Sequence, residues 1–216
     1  MTRAIRLESI NVGASEPIAI GKRVQQTGIH KRPVSGPVEV GIEGVAGDVI
    51  VDGRHHGGVD QAVYLYSRED YDWWSAQLQR ALAPGIFGEN LTLSAFPEQP
   101  LRIGDRLRIA DVVLELSAPR IPCATFGARM ADPQFVARFI DAARPGVYAR
   151  VLQGGRLEAG ADVQFEPVAT PSVTVAEMFT LWVNKPRDPA RMKALLATPV
   201  SERSRAKLAS WLAKPD

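Results

Sequence analysis

The only cysteine in this 216-residue sequence, Cys123, closes the segment Ser117-Ala118-Pro119-Arg120-Ile121-Pro122-Cys123. Two prolines stiffen the chain here, since each fixes its own φ and restricts the residue before it. A thiol at the end of the apolar run 112–116 can therefore be held in a defined position. An Arg120 side chain turned toward it would favour the thiolate. Thiolate is a soft, strongly donating ligand suited to a redox metal. A lone cysteine also serves as a small buried hydrophobe, and the residues by themselves leave both roles open.

The run Arg54-His55-His56-Gly57-Gly58-Val59-Asp60 is a second place where chemistry is available. Adjacent glycines reach backbone conformations in which successive N–H groups converge on an anion. Arg54 and the histidines could add charge or hydrogen bonds to a phosphate. Zinc suits the run poorly, because neighbouring histidines on an extended chain point to opposite faces and no second cysteine exists. A plain glycine turn before the next strand fits the same residues. In Phe87-Gly88-Glu89-Asn90-Leu91, Glu89 and Asn90 either present acceptor and donor groups to a heterocycle or form a polar turn that opens a strand. Lys22-Arg23 and Lys31-Arg32 supply further cations; such pairs are usually solvated, but one of them could reach a cofactor phosphate.

Short strands must position these segments. Apolar runs and period-2 alternation predict strands over residues 4–12, 38–41, 62–66, 90–93, 105–109, 112–116, 147–152 and 162–168, separated by Gly and Pro. That density of strands and turns indicates a closed or nearly closed barrel. One helix is expected after Ser67, which can cap it with Asp70 at N3 and Tyr71, Trp74 and Leu78 on one face. Another is expected over 133–143, where Phe135, Phe139 and Ile140 form an apolar stripe. From residue 171 the pattern changes. Thr174 with Glu177 makes a capping box, Asp188-Pro189 gives a cap and an N1 proline, and Ser201 can cap a third helix carrying Leu208, Trp211 and Leu212. The expected class is α+β, predominantly β: a barrel domain over 1–170 with inserted helices, then a three-helix module over 171–216.

With 45% hydrophobic and 23% charged residues the chain is ordinary globular material. No apolar stretch reaches the ~20 residues a membrane helix needs. Residues 1–11 lack a continuous apolar h-region and are expected to form a strand rather than a signal peptide. A single cysteine forms no intramolecular disulfide, which fits a reducing compartment, and the cytoplasm is the expected location. The net charge of +2 divides into +4 over 171–216 and −2 before it. That imbalance calls for no nucleic-acid partner, and helix-turn-helix binding by the tail has little to support it.

Taken in order, residues 27–34, 44–48, 56–64, 87–91, 103–105, 119–123 and 146–151 resemble the MOSC-domain family, which is related to the C-terminal domain of molybdenum cofactor sulfurases. The matching core includes His56-Gly57-Gly58-Val59-Asp60-Gln61, Gly88-Glu89-Asn90 and Pro119-Arg120-Ile121-Pro122-Cys123. The helical tail is similar to the YiiM-like branch. The resemblance implies a MOSC-type β-barrel, a molybdopterin-bound molybdenum and Cys123 as metal ligand. It places His56, Gly57, Gly58, Glu89, Asn90 and Arg120 around the cofactor; Lys31, Arg32 and Arg54 are the cations expected to reach its phosphate, and His56 and Glu89 are the candidates for the proton donor the reaction needs. His30, Ala124 and Thr125 stand where relatives often carry other side chains.

The implied activity is reduction of N-hydroxylated compounds, such as hydroxylamino-purines, to amines. No G-x-G-x-x-G fingerprint is present, so electrons are expected from a separate flavoprotein or other donor. The expected partners are thus a small N-hydroxylated substrate and an electron donor, with no nucleic acid and no membrane; a homodimer is compatible with this reading. Two alternatives use the same residues differently: a sulfur carrier with a Cys123 persulfide, and a non-catalytic interaction module built on the tail.

Overall fold

The computed structural model describes residues 3–53, 56–170 and 172–213. Among them thirteen strands and six helices are seen. They are β1 Ile5–Val12, β2 Glu16–Ile20, β3 Arg23–Thr27, β4 Arg32–Val34, β5 Val38–Gly41, β6 Gly44–Val45, β7 Val63–Ser67, α1 Arg68–Leu78 and β8 Leu91–Leu93. There follow β9 Arg106–Ile109, β10 Val112–Ala118, α2 Ala124–Met130, α3 Phe135–Ala142, β11 Val147–Gln153, β12 Gly155–Leu157, β13 Asp162–Glu166, α4 Val175–Val183, α5 Pro189–Leu196 and α6 Glu202–Ala213.

Seven strands close a ring in the order β13-β9-β10-β11-β7-β8-β1, with β1 returning to β13 through Ile5 opposite Val163. All ring pairings are antiparallel except β7–β8, which is parallel and aligns Leu65 with Leu91. The alternation in β1 explains its placement: Ile5 and Leu7 point inward, Arg6 and Glu8 outward. In β10 all seven residues are buried, because its outer face is covered as well. There Glu115 pairs with Arg106 and Arg150, and the Ser117 hydroxyl donates to the Asp60 carbonyl.

The helices pack through an aromatic cluster. Trp74 of α1, Phe126 of α2 and Phe135 of α3 pack on Phe87, and Phe139 of α3 packs on those three rings, with Trp74–Phe135 centroids 5.0 Å apart and Phe126–Phe139 4.9 Å. Rings at these spacings prefer tilted and edge-to-face contacts, which fixes the helices against β7 and the 85–88 turn. Ser67 caps α1 by accepting from Asp70 N at 3.1 Å.

The C-terminal helices start where their caps predict. Thr174 and Glu177 complete the capping box of α4, Asp188 Oδ1 accepts from Ala190 N at 2.8 Å, and Ser201 Oγ accepts from Ser204 N at 3.3 Å. The tail is tied to the barrel by Val175 N donating to Leu101 O at 2.8 Å and Glu202 N donating to Asp60 Oδ2 at 2.7 Å. Among the described residues no helix is long and apolar enough to cross a membrane.

Strands β2, β3, β4, β6 and β12 and helix α2 go beyond the sequence expectation. β2 and β3 form a separate hairpin whose residues are mostly exposed, so no apolar alternation marks it. Helix α2 has seven residues and contains Thr125 and Gly127, weak helix formers that mask its pattern.

Candidate functional site

A cleft on the barrel collects residues from six segments of the chain. Cys123 lies on it at the N-cap of α2, with backbone φ −133° and its carbonyl accepting from Phe126 N at 3.0 Å. The prolines before it carry the chain from the end of β10 across the mouth of the cleft. Cys123 Sγ is 3.7 Å from His56 Nε2. His56 is anchored in turn by its own N–H, which donates to the Asp52 carbonyl at 2.9 Å.

Arg120 forms the inner wall. It is 4% exposed, with its guanidinium carbon 4.5 Å from the Phe126 ring centre and 5.1 Å from that of Tyr64. Nη1 donates to the Tyr148 hydroxyl at 3.4 Å, whereas Nε has no hydrogen-bond partner. No carboxylate among the described residues forms an ion pair with it. Two buried cation–π contacts supply about 2 kcal/mol or more each, and burying an ion costs several kcal/mol. The guanidinium thus stands at the cleft wall with no paired carboxylate among the described residues and with Nε unpartnered, where an anionic ligand would pair with it.

Lys31 and Asp48 form a buried ion pair beside Arg120. Asp48 also accepts from Gly13 N at 2.8 Å and Asn90 Nδ2 at 2.9 Å. Burial pushes the Lys31 ammonium pKa below its ordinary value, opposed by the Asp48 carboxylate. Asn90 is fully employed, its Oδ1 accepting from Tyr64 N at 3.1 Å. It lines the cleft as a brace between Asp48 and β7. Gly57, at φ +77°, also lines it; a Cβ there would lie 2.7 Å from Ile50 Cδ1.

The structure therefore gathers Lys31, His56, Gly57, Asn90, Arg120 and Cys123 around one cleft. It does not bring Arg32 there: that side chain is exposed and pairs with Glu16 on the outer surface. Gly58, at φ +80°, turns the chain into the 59–61 turn without lining the cleft. Arg54 and His55 lie outside the described residues. Glu89 is placed differently from the expectation that it serves as a proton donor. It is 0% exposed inside the barrel, where Oε1 accepts from Tyr71 Oη, from Gly85 N at 2.7 Å and from Thr92 Oγ1 at 2.8 Å. Oε2 has no partner, and burial raises the carboxyl pKa.

Residues that the sequence reading missed include Asp48, Tyr64 and Tyr148. The tyrosines face each other across β7 and β11, with Tyr148 in register with Tyr64 and ring centres 4.9 Å apart. Burial raises both phenol pKa values, and Arg120 opposes the rise. Period-2 alternation marked both strands but not which end of the barrel their tyrosines would reach. Thr125 also lines the cleft, and its hydroxyl accepts from Gln25 Nε2 at 3.0 Å, joining the β2–β3 hairpin to α2.

The model of the MOSC domain matches residues 52–164, more than half of the chain and including Cys123, Arg120, His56 and both tyrosines. The chain belongs to the MOSC domain family. This MOSC protein is 35% identical over 156 residues to YflK of Bacillus subtilis (strain 168), covering 72% of this chain and 71% of YflK. It is 32% identical over 158 residues to a protein of Gibberella moniliformis (strain M3125 / FGSC 7600) named "Reductase", covering 71% of this chain and 28% of that longer protein. The crystal structure of YiiM from Geobacillus stearothermophilus superposes with a TM-score of 0.79 at 28% identity, over 96% of this chain and 99% of that one. The match to YiiM extends through the helical tail.

The cleft suits the cofactor to which MOSC domains are linked. An accessible thiol offers a soft donor, and a buried, anion-seeking guanidinium stands on the same wall. Among the described residues no three His, Cys, Asp or Glu side chains converge as metal ligands.

Proposed function

We propose that this protein is a molybdenum-cofactor-dependent reductase that converts N-hydroxylated compounds, such as hydroxylamino-purines, to amines with electrons from a separate reductase. The observation that carries the reading is the cleft shared by Cys123 and the buried Arg120, whose Nε is unpartnered and which pairs with no carboxylate among the described residues. Its support from relatives is the name "Reductase" of the Gibberella moniliformis protein and the YiiM-like fold. A free cysteine fits a reducing location such as the cytoplasm.

The chemistry the bound group would supply is two-electron reduction of the N–O bond, whose oxygen leaves as water after taking two protons. The residues of this chain hold and surround that group. Cys123 would donate its sulfur to the metal, and Arg120 would neutralise the cofactor's phosphate. Lys31, fixed by Asp48, would add a second positive potential. His56, beside Cys123, is the group placed to hold a proton at Nε2 close to the reacting centre. Glu89 does not line the cleft, so its part is to brace the 85–92 segment. Tyr64 and Tyr148 narrow the cleft and exclude water around the donor set.

Molybdenum and pterin quantitation on protein from a cofactor-competent host tests the reading, followed by turnover of a hydroxylamino-purine with an artificial reductant. Stoichiometric metal that vanishes in Cys123→Ser, with turnover, is expected. Metal-free wild type carrying a dithiothreitol-releasable sulfur on Cys123 would instead identify a sulfur carrier.

A further inference from the structure

We propose that the groove between the barrel and the C-terminal helices binds the phosphate of the substrate, so that the preferred substrate is an N-hydroxylated nucleobase in nucleotide form rather than the free base. This rests on the reductase reading above.

The groove shares His56, Gln61, Cys123, Thr125 and Tyr148 with the cleft. A molecule lying along it would end at the thiol. Its far wall is one face of α6, where Arg203, Lys207 and Ser210 recur at helical spacing. Arg23, at the start of β3, also lines the groove. Three cations thus face one recess, against Asp52 as its only carboxylate among the described lining residues.

Arg203 is held in place by Gln61 Oε1 at 2.6 Å and the Gly53 carbonyl at 3.4 Å, which ties it to the loop that carries His56. Arg23 and Lys207 are exposed and enter no ion pair among the described residues. Lys207 Nζ rests 5.4 Å from the Trp211 ring centre. The like charges of Arg23 and Lys207 on one recess draw an anion into it. Trp182 and Met178 add an apolar wall suited to the carbons of a ribose.

The recess favours a small molecule over an acidic protein surface. It is concave and runs into the reaction cleft, whereas a docking protein needs only the rim. The reaction balances without touching the phosphate: the N–O bond takes two electrons from the reductant and two protons, releasing water and leaving an amine.

The test uses holoenzyme with reduced methyl viologen as electron donor, comparing a hydroxylamino-purine ribonucleoside with its 5′-monophosphate. The expected result is a KM at least about tenfold lower for the monophosphate, an advantage that shrinks as salt screens the groove. The double variant Arg23→Gln/Lys207→Gln should bring the ratio toward one while keeping its pterin. Calorimetry with the products, adenosine 5′-monophosphate against adenosine, should show the same preference and the same loss.

Equal KM values with ongoing turnover would overturn the groove and leave the reductase standing. No turnover of either compound, with monophosphate binding that the double variant abolishes, would support the groove and sink the reductase. Loss of pterin in the double variant would overturn the proposal by giving these cations to the cofactor's own phosphate. A defect seen only with a protein reductase as donor, and not with viologen, would overturn it in favour of a partner-docking face.

Discussion

Cys123 Sγ and His56 Nε2 stand 3.7 Å apart although 67 residues separate them in the chain. One comes from the start of α2 and the other from the glycine loop before β7, so the pair exists only because the barrel closes. Cys123→Ser is expected to abolish molybdenum retention, since a neutral hydroxyl is a poor replacement for thiolate. His56→Gln should keep the metal and lower kcat by about 10²–10⁴-fold, the range for loss of a general acid. Metal analysis together with single-turnover rates separates the two; equal metal loss in both variants would remove His56 from the proton-transfer role.

Arg120 is expected to cost stability in exchange for binding. Replacing its buried charge with an apolar side chain of similar reach, Arg120→Met, should make cofactor-free protein more stable by about 1–3 kcal/mol. The same variant should lose most of its pterin. Chemical denaturation and pterin assay of both proteins check this, and a destabilised, pterin-replete variant would contradict it.

Asp48 gathers the Lys31 ammonium, Asn90 Nδ2 and Gly13 N on one carboxylate. Asp48→Ala leaves a buried ammonium without its counter-charge, a change that costs about 3–5 kcal/mol. Asp48→Ala combined with Lys31→Met should recover much of that loss, which urea midpoints will show.

Glu89 makes stability pH-dependent with a definite sign. Its folded pKa lies above the ordinary 4.5 because burial disfavours the carboxylate. Between those two values the folded protein binds more protons than the unfolded chain, so stability falls as pH rises through the folded pKa. Below 4.5 both states are protonated and the full contribution is present. Melting temperatures from pH 4 upward should therefore decline more steeply for wild type than for Glu89→Gln. Parallel curves would place the folded carboxyl at its ordinary value.

The barrel was legible because β1, β9, β10 and β11 bury alternate or continuous apolar residues, and the tail because Thr174, Asp188 and Ser201 are strong caps. Cys123, His56, Arg120 and Asn90 were legible through short ordered motifs. Glu89 and Arg32 show the limit of that approach. Both stand in motifs beside cleft residues, yet Glu89 turns inward to Tyr71 from the irregular segment before β8 while Arg32 turns outward to Glu16. The β2–β3 hairpin and the groove beside α6 left no local trace, since both arise from how separate elements meet. Tyr148 reaches the cleft by register with Tyr64, a pairing of residues 84 positions apart that no window of sequence contains.

The seam between β1 and β13 bears on how the molecule comes into being. Ile5 finds its partner in Val163, so the ring cannot shut until that late strand has emerged from the ribosome. Until then β1 presents a bare edge with Ile5 and Leu7 beside it, a template for pairing with other chains. The outward Arg6 and Glu8 are the charges that guard this edge during synthesis. Replacing them with Val or Ile would reduce yield in the cell far more than it changed the melting point of protein already folded.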